Sequence, residues 1–218
     1  MEIAALCVSD AAAPKSYYDI GGQITSGIGR VELLRGTQSA LYGSRALAGV
    51  LSLQSLRPTE DGLHHHFEIE AGSFDTLTAS YGATLRRTST ELAFQVSHVS
   101  TDGFSASDED DGNFEDDGYE ATRLSVFAAH ELQNGVVFGV NGFWQDSRAD
   151  FDDGLYDFMT DTFYFGDIYG TPGNDYTENR SFGLRGFAQF STGPVDHELA
   201  VTQYRLERDS FYDGFLTS

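Results

Sequence analysis

The chain has little of what braces a small secreted domain or threads a membrane as helix. One cysteine, Cys7, stands among 218 residues, so no intramolecular disulfide can form. Proline is scarce, at four residues, and no apolar run approaches the roughly 18 residues a membrane helix requires. Residues 1–15 are weakly apolar and lack the basic start of a secretory signal. Basic residues are also few: 13 Lys and Arg against 34 Asp and Glu leave a formal charge of −21. That sign excludes nucleic acid as a partner, because phosphate binding needs the opposite one. It also calls for a reason why so many carboxylates tolerate one another, and a bound divalent cation is one such reason. No phosphate loop, zinc spacing or nucleophile–base set occurs, so the chain is not expected to be an enzyme.

What the chain does have is aromatic residues, glycine and alternation. It holds 17 Phe, 11 Tyr and 24 Gly. After residue 57 the hydrophobic period is two, the signature of sheet. Seven such segments are expected, at 65–73, 76–86, 91–101, 119–132, 136–147, 180–192 and 197–208. In the second, Leu77, Ala79, Tyr81, Ala83 and Leu85 oppose Thr78, Ser80, Gly82 and Thr84. In the third, Leu92, Phe94 and Val96 oppose Glu91, Ala93, Gln95 and Ser97. Later segments repeat this, with Phe138 and Trp144 opposite Asn141 and Gln145, and Phe182 and Leu184 opposite Gly183 and Arg185. The faces of the seventh cannot be assigned from its sequence.

These strands exceed the usual five or six residues of globular sheets and suit a tilted crossing of a bilayer. Connections alternate in length. Those at 87–90, 133–135 and 193–196 are short, whereas 102–118 and 148–179 are long. Short turns at one end and long loops at the other are the asymmetry of outer-membrane barrels. The expected fold class is therefore all-β: a partial transmembrane antiparallel β-barrel, a meander of about seven strands.

Residues 30–53 carry the most specific pattern. An alternating strand, Val31 to Arg35, stops at Gly36; a short polar stretch leads through Gly43, and Gly49 opens a second apolar strand. Val31, Glu32, Arg35, Gly36, Gln38, Ser39, Ala40, Tyr42, Gly43, Ser44, Gly49 and Val50 match, in order, the end of the plug domain of TonB-dependent outer-membrane receptors. Ala48 and Thr37 depart from it, standing where glycine and proline are usual. The chain thus resembles that family, of the cobalamin and siderophore receptor type, with Arg30, Glu32, Arg35, Gly36, Tyr42, Gly43 and Gly49 as its plug motif. The resemblance implies that residues 1–57 are the C-terminal part of a plug and 58–218 the N-terminal strands of the barrel. A barrel enclosing a plug needs on the order of 22 strands, so the chain is expected to be a fragment. A self-contained eight-stranded barrel, porin-like or enzymatic, is the alternative. The resemblance further implies a bacterial outer-membrane location, lipid around the barrel, the TonB complex as energy-supplying partner, and a scarce metal chelate as ligand: ferric siderophore, haem or cobalamin. Which ligand is transported is not legible.

The long loops are acidic and aromatic. Hard oxygen ligands on such loops suit calcium, and a hydrated negative rim is the plainer alternative. By resemblance to the calcium loops of the cobalamin branch, Glu115, Asp117 and Asp152 would be ligands, with Asp108 or Asp110 replacing the aspartate that branch has at Ser105. No other cofactor is expected. The tract His64-His65-His66 admits a metal reading, but His65 is expected at the lipid side of a strand start. Glu68 and Glu70 are expected to line the lumen and meet plug groups such as Arg30 or Arg35.

Overall fold

A computed structural model describes residues 24–25, 27–37, 49–104, 116–152, 154–157, 162–165, 175–212 and 215–217. Among these there is no helix. Two strands come first: β1 (Ile28–Arg35) and β2 (Gly49–Ser55), an antiparallel hairpin with Val31 opposite Leu53 and Arg35 opposite Gly49. The strands are the two the glycines delimit; Tyr42 and Gly43, in the connection, lie outside the described residues. Gly36 closes β1 with φ of 89°, a left-handed conformation that glycine adopts without steric cost.

The large sheet follows as β3 (Gly62–Ala71), β4 (Leu77–Arg87), β5 (Thr90–Thr101), β6 (Tyr119–Glu131) and β7 (Val137–Asp150). A small hairpin, β8 (Gly154–Asp157) with β9 (Thr162–Phe165), intervenes. Then come β10 (Tyr176–Thr192), β11 (Val195–Tyr212) and the three-residue β12 (Phe215–Thr217). Their spatial order is β3-β4-β5-β6-β7-β10-β11-β12, an antiparallel meander with β3 and β12 at its edges. Seven long strands are thus present as expected, and β12 makes eight. Two details differ from the sequence reading. The first barrel strand begins at Gly62 and ends at Ala71, because Gly72 already turns, its amide donating to the Thr76 carbonyl at 2.9 Å. The span 148–179 is also not all loop: strand β7 runs on to Asp150, β10 starts at Tyr176, and β8 and β9 pair between them.

The turns explain the pairing. At one end, called lower here, Gly135 (φ 80°) donates to the Leu132 carbonyl at 2.9 Å, and the Asn134 side chain accepts from the Val136 amide at 3.2 Å. Gly193 (φ 62°) makes the β10–β11 turn. At the upper end Phe74 and Asp75 take left-handed φ of 59° and 48°, and the Phe74 carbonyl accepts from the Asp102 amide at 3.0 Å, tying that turn to the end of β5.

Alternation sorts the sheet into two chemically different faces. Ser80, Gln95, Ser97, Ser125, Gln145, Ser147, Ser181 and Gln189 are buried on one face, beside Arg123 and Arg185. Leu77, Tyr81, Phe94, Phe138, Trp144 and Leu184 are exposed on the other. This is the reverse of a soluble sheet, in which the apolar face is the one hidden. The polar face is covered by the β1–β2 hairpin, beside whose start Gly27 approaches Ser125 and Gln95. Its apolar nucleus, among the described residues, is small: Ala93, Phe127 and Phe187, with Ala129 and Val137 against them.

Candidate functional site

The site is the seam between hairpin and inner wall. Gly27 sits there with φ of 81°, and a Cβ at that position would stand 2.7 Å from the Ser125 Oγ. Glycine is favoured twice over, by a left-handed backbone and by the space the Ser125 hydroxyl takes. The Gly27 carbonyl accepts from the Leu56 amide at 2.8 Å, which closes the base of the hairpin. A cavity of about 80 Å³ separates Leu51, Leu53 and Gln54 from Arg123, Asn141 and Phe143 on the wall. A wider one, about 490 Å³, runs between Ile28, Leu56 and Arg57 on one side and His64, His66, Glu68 and Gln95 on the other. Farther along, Val31 and Leu33 are 59% and 61% exposed, so the upper hairpin is barely covered by the described wall.

The inner wall positions its cations on aromatic rings. Arg123 places its guanidinium carbon 4.3 Å from the Phe143 ring centre and donates to Gln145 Oε1 at 3.0 Å. Arg185 lies 5.2 Å from the Phe187 ring centre and pairs with Glu198, which also accepts from Gln189 at 2.7 Å. Arg57, arriving from the hairpin, caps the Phe127 ring at 4.5 Å. Burial lowers its pKa from the ordinary guanidinium value, with Arg185 reinforcing and Glu91 opposing the shift. Such stacks supply attraction where a partly dehydrated cation would otherwise be costly. None of Arg57, Phe127 and Phe187 stands out in the sequence as a site residue. The available signal was an aromatic at an inward position of an otherwise polar face.

Of the plug motif, Arg30, Glu32, Arg35, Gly36 and Gly49 lie in or beside the hairpin strands. Arg30 pairs with Glu32, two residues on and on the same strand face, while Glu68 approaches His66 Nε2 at 3.8 Å. Among the described residues Arg30 thus pairs within its own strand rather than with Glu68 or Glu70. His65 faces outward, its ring 6.1 Å from that of Tyr81 and its Nδ1 2.9 Å from the Tyr81 hydroxyl.

The outer face carries an apolar band that slants across the strands. Leu124, Trp144 and Phe182 lie side by side in register, yet the next residue in that row is Arg205. On β11 the apolar residues, Val201 and Leu199, sit lower. One row up, Asp146 and Arg180 form an ion pair at 3.1 Å, whereas Ala79 and Ile69 continue that row as apolar residues on β4 and β3. Strands that lean about 35–45° against a level hydrocarbon slab require this drift.

At the upper rim Asp102, Asp116, Glu120 and Asp150 line a cleft of about 350 Å³ together with Arg148. Arg148 donates from Nε to Asp150 Oδ1 at 3.0 Å and stacks on Tyr176 at 3.7 Å. Tyr176 in turn stacks on Phe211 at 4.5 Å. Asp117 and Asp152 are both at this end, whereas Glu115, Asp108 and Asp110 lie outside the described residues. Among the described residues no three His, Cys, Asp or Glu side chains gather as metal ligands. The described carboxylates do not by themselves compose a calcium site.

No family model matches the chain. Its sequence is 27% identical over 194 residues to the vitamin B12 transporter BtuB of Photobacterium profundum, a match covering 86% of this chain and 28% of the transporter. Its fold matches the ferric-catecholate import receptor Fiu of E. coli K12, in the open form, with a TM-score of 0.66 at 15% identity. That likeness covers 85% of this chain and 30% of the receptor. The pyoverdine outer membrane receptor FpvA of Pseudomonas aeruginosa PAO1 is a looser likeness, at a TM-score of 0.41 over 91% of this chain. The chain thus spans less than a third of the length of the transporter and of the import receptor it matches. The polar inner wall, the slanting apolar band and these matches point the same way: the chain is similar in sequence to a vitamin B12 transporter and in fold to an import receptor, and it resembles the TonB-dependent receptors of the bacterial outer membrane.

Proposed function

We propose that the protein takes up a scarce metal chelate (ferric siderophore, haem or cobalamin) across the outer membrane, with residues 1–57 as the last part of its plug and 58–218 as the first part of its barrel. The observation that carries the reading is the seating of Gly27 against Ser125. A hairpin seated on the polar wall by a left-handed glycine whose added Cβ would force the Ser125 hydroxyl aside has no use in an open pore. In this reading the hairpin blocks the lumen, the chelate is caught at the upper rim, and the TonB complex supplies work by pulling on the plug. A pull of that kind suits a seam with few apolar contacts, since the strands hidden beneath it are lined by Ser and Gln rather than by Leu and Ile. The names of the sequence relative and the structural neighbour favour transport over enzyme chemistry, and the cobalamin relative is the one found by sequence. We include calcium at the rim in the proposal, with Glu115, Asp117 and Asp152 as ligands. What supports it is the acidic lining of the rim cleft, where Asp102, Asp116, Glu120 and Asp150 add negative charge at the same end as Asp117 and Asp152.

The test is uptake by cells carrying the full-length receptor, offered labelled cobalamin, haem or a ferric catecholate in turn, with TonB present or deleted. Saturable uptake of one of them that vanishes without TonB is the expected result. Unsaturable passage of all small solutes, unchanged by TonB, would instead identify a passive barrel.

A further inference from the structure

We propose that Arg57 is the clamp that holds the junction between hairpin and barrel to the inner wall, and marks where the displaceable part of the plug ends. Four observations converge on this residue. Its guanidinium lies over Phe127, which is 2% exposed and belongs to the only apolar nucleus of the covered face among the described residues. Glu91, itself 3.4 Å from Arg86, attracts the guanidinium from β5, while Arg185 repels it from β10. Charges on β5 and β10 thus act on the cation where it lies over Phe127. Immediately before it the Leu56 amide is bonded to the Gly27 carbonyl, and immediately after it Pro58 is buried.

The contrast with the hairpin is the point. Phe127 and its neighbours are fixed by the strands on both sides, so the ring under Arg57 cannot follow a movement of the hairpin. Most of the hairpin meets the wall across cavities of about 80 and 490 Å³ and exposes Val31 and Leu33. A loosely packed element joined to a clamped one yields first under load. The part of the proposal that concerns displacement rests on the receptor reading; the clamp itself does not. Arg57 acts through Phe127 and is a positioning residue.

The experiment uses the purified full-length receptor with Cys7→Ser, without ligand or TonB, and spin-label pairs at exposed positions. One pair, Thr59 with Gln133, reports the junction against the wall. The other, Val31 with Gln133, reports the hairpin. In Arg57→Ala the 59–133 distance distribution should broaden about twofold as clamped and released states mix. Arg57→Lys should do the same, because it keeps the charge and loses the planar stack. Phe127→Leu, with Arg57 intact, should reproduce the broadening. Leu53→Ala, which thins the hairpin face at the 80 Å³ cavity and leaves the bond between Leu56 and Gly27 in place, should broaden the 31–133 pair alone. A wild-type 59–133 distribution in Arg57→Ala would overturn the clamp, and broadening of both pairs by Leu53→Ala would overturn the division it marks. Since neither ligand nor energy enters, a failed uptake assay and a failed clamp are read separately.

Discussion

The ring of Phe187 on β10 lies across Gly139, its register partner on β7, and occupies the space a side chain there would take. A Cβ at Gly139 would stand 2.1 Å from Phe187 Cζ and 2.9 Å from the Ala128 carbonyl oxygen. Covering a strand glycine with a cross-strand aromatic restores the contacts the glycine lacks and shields its backbone from water. Gly139→Ala should therefore destabilise the barrel by about 1–3 kcal/mol, the usual cost of overpacking. Phe187→Ala should cost about 3 kcal/mol as a cavity. The double variant should fall short of the sum, because removing the ring removes the larger part of the clash and leaves only the close approach to the Ala128 carbonyl. Denaturant unfolding of the full-length receptor reads all three, and strict additivity would show that ring and glycine are not coupled.

Neighbouring residues on β4 assign the two faces. Ser80 is 3% exposed beneath the hairpin and Tyr81 is 38% exposed on the outer face. In the full-length receptor, a lipid-restricted thiol probe should label a cysteine at position 81 and spare one at 80. Labelling in the opposite order would invert the barrel.

Gly27 is the tightest point of the seam. Gly27→Val adds a left-handed strain of about 1–2 kcal/mol to its collision with Ser125. The hairpin should then leave its seat, and passage of a small hydrophilic solute through reconstituted receptor should rise several-fold. Ser125→Gly, which makes room, should partly reverse it. A tight, wild-type barrier in Gly27→Val would mean that the seam does not close the lumen.

The rim tests the metal. Clustered ionised carboxylates raise the free energy of any ordered loop, and a divalent cation offsets that repulsion. Millimolar calcium should slow hydrogen exchange across residues 102–118 and 148–179 of the full-length receptor. Asp117→Asn together with Asp152→Asn should abolish the slowing and leave β4 to β7 unchanged. Equal exchange with and without calcium would leave a hydrated acidic rim.

Much of the architecture was legible because a strand declares its two faces by period. Ser80 against Tyr81, Gln95 against Phe94, and Gln145 against Trp144 needed no tertiary information, and Asn134-Gly135 announced its own turn. The glycines at 36 and 49 likewise bounded the hairpin before its partner was known. Alternation is local chemistry, and it survives because one face must meet lipid and the other water or polar groups. What pairing decided was everything that depends on a neighbour distant in sequence. The faces of β11 became readable only when Arg205 and Leu206 were set opposite Phe182 and Ser181. The slant of the apolar band exists only as a relation between strands. Nothing in the sequence singled out Arg57 until folding laid it on Phe127, or Phe187 until Gly139 came to lie opposite. A single residue's character is fixed by its own side chain, but a stack, a fit or a tilt is a property of two chain segments, and only their packing creates it.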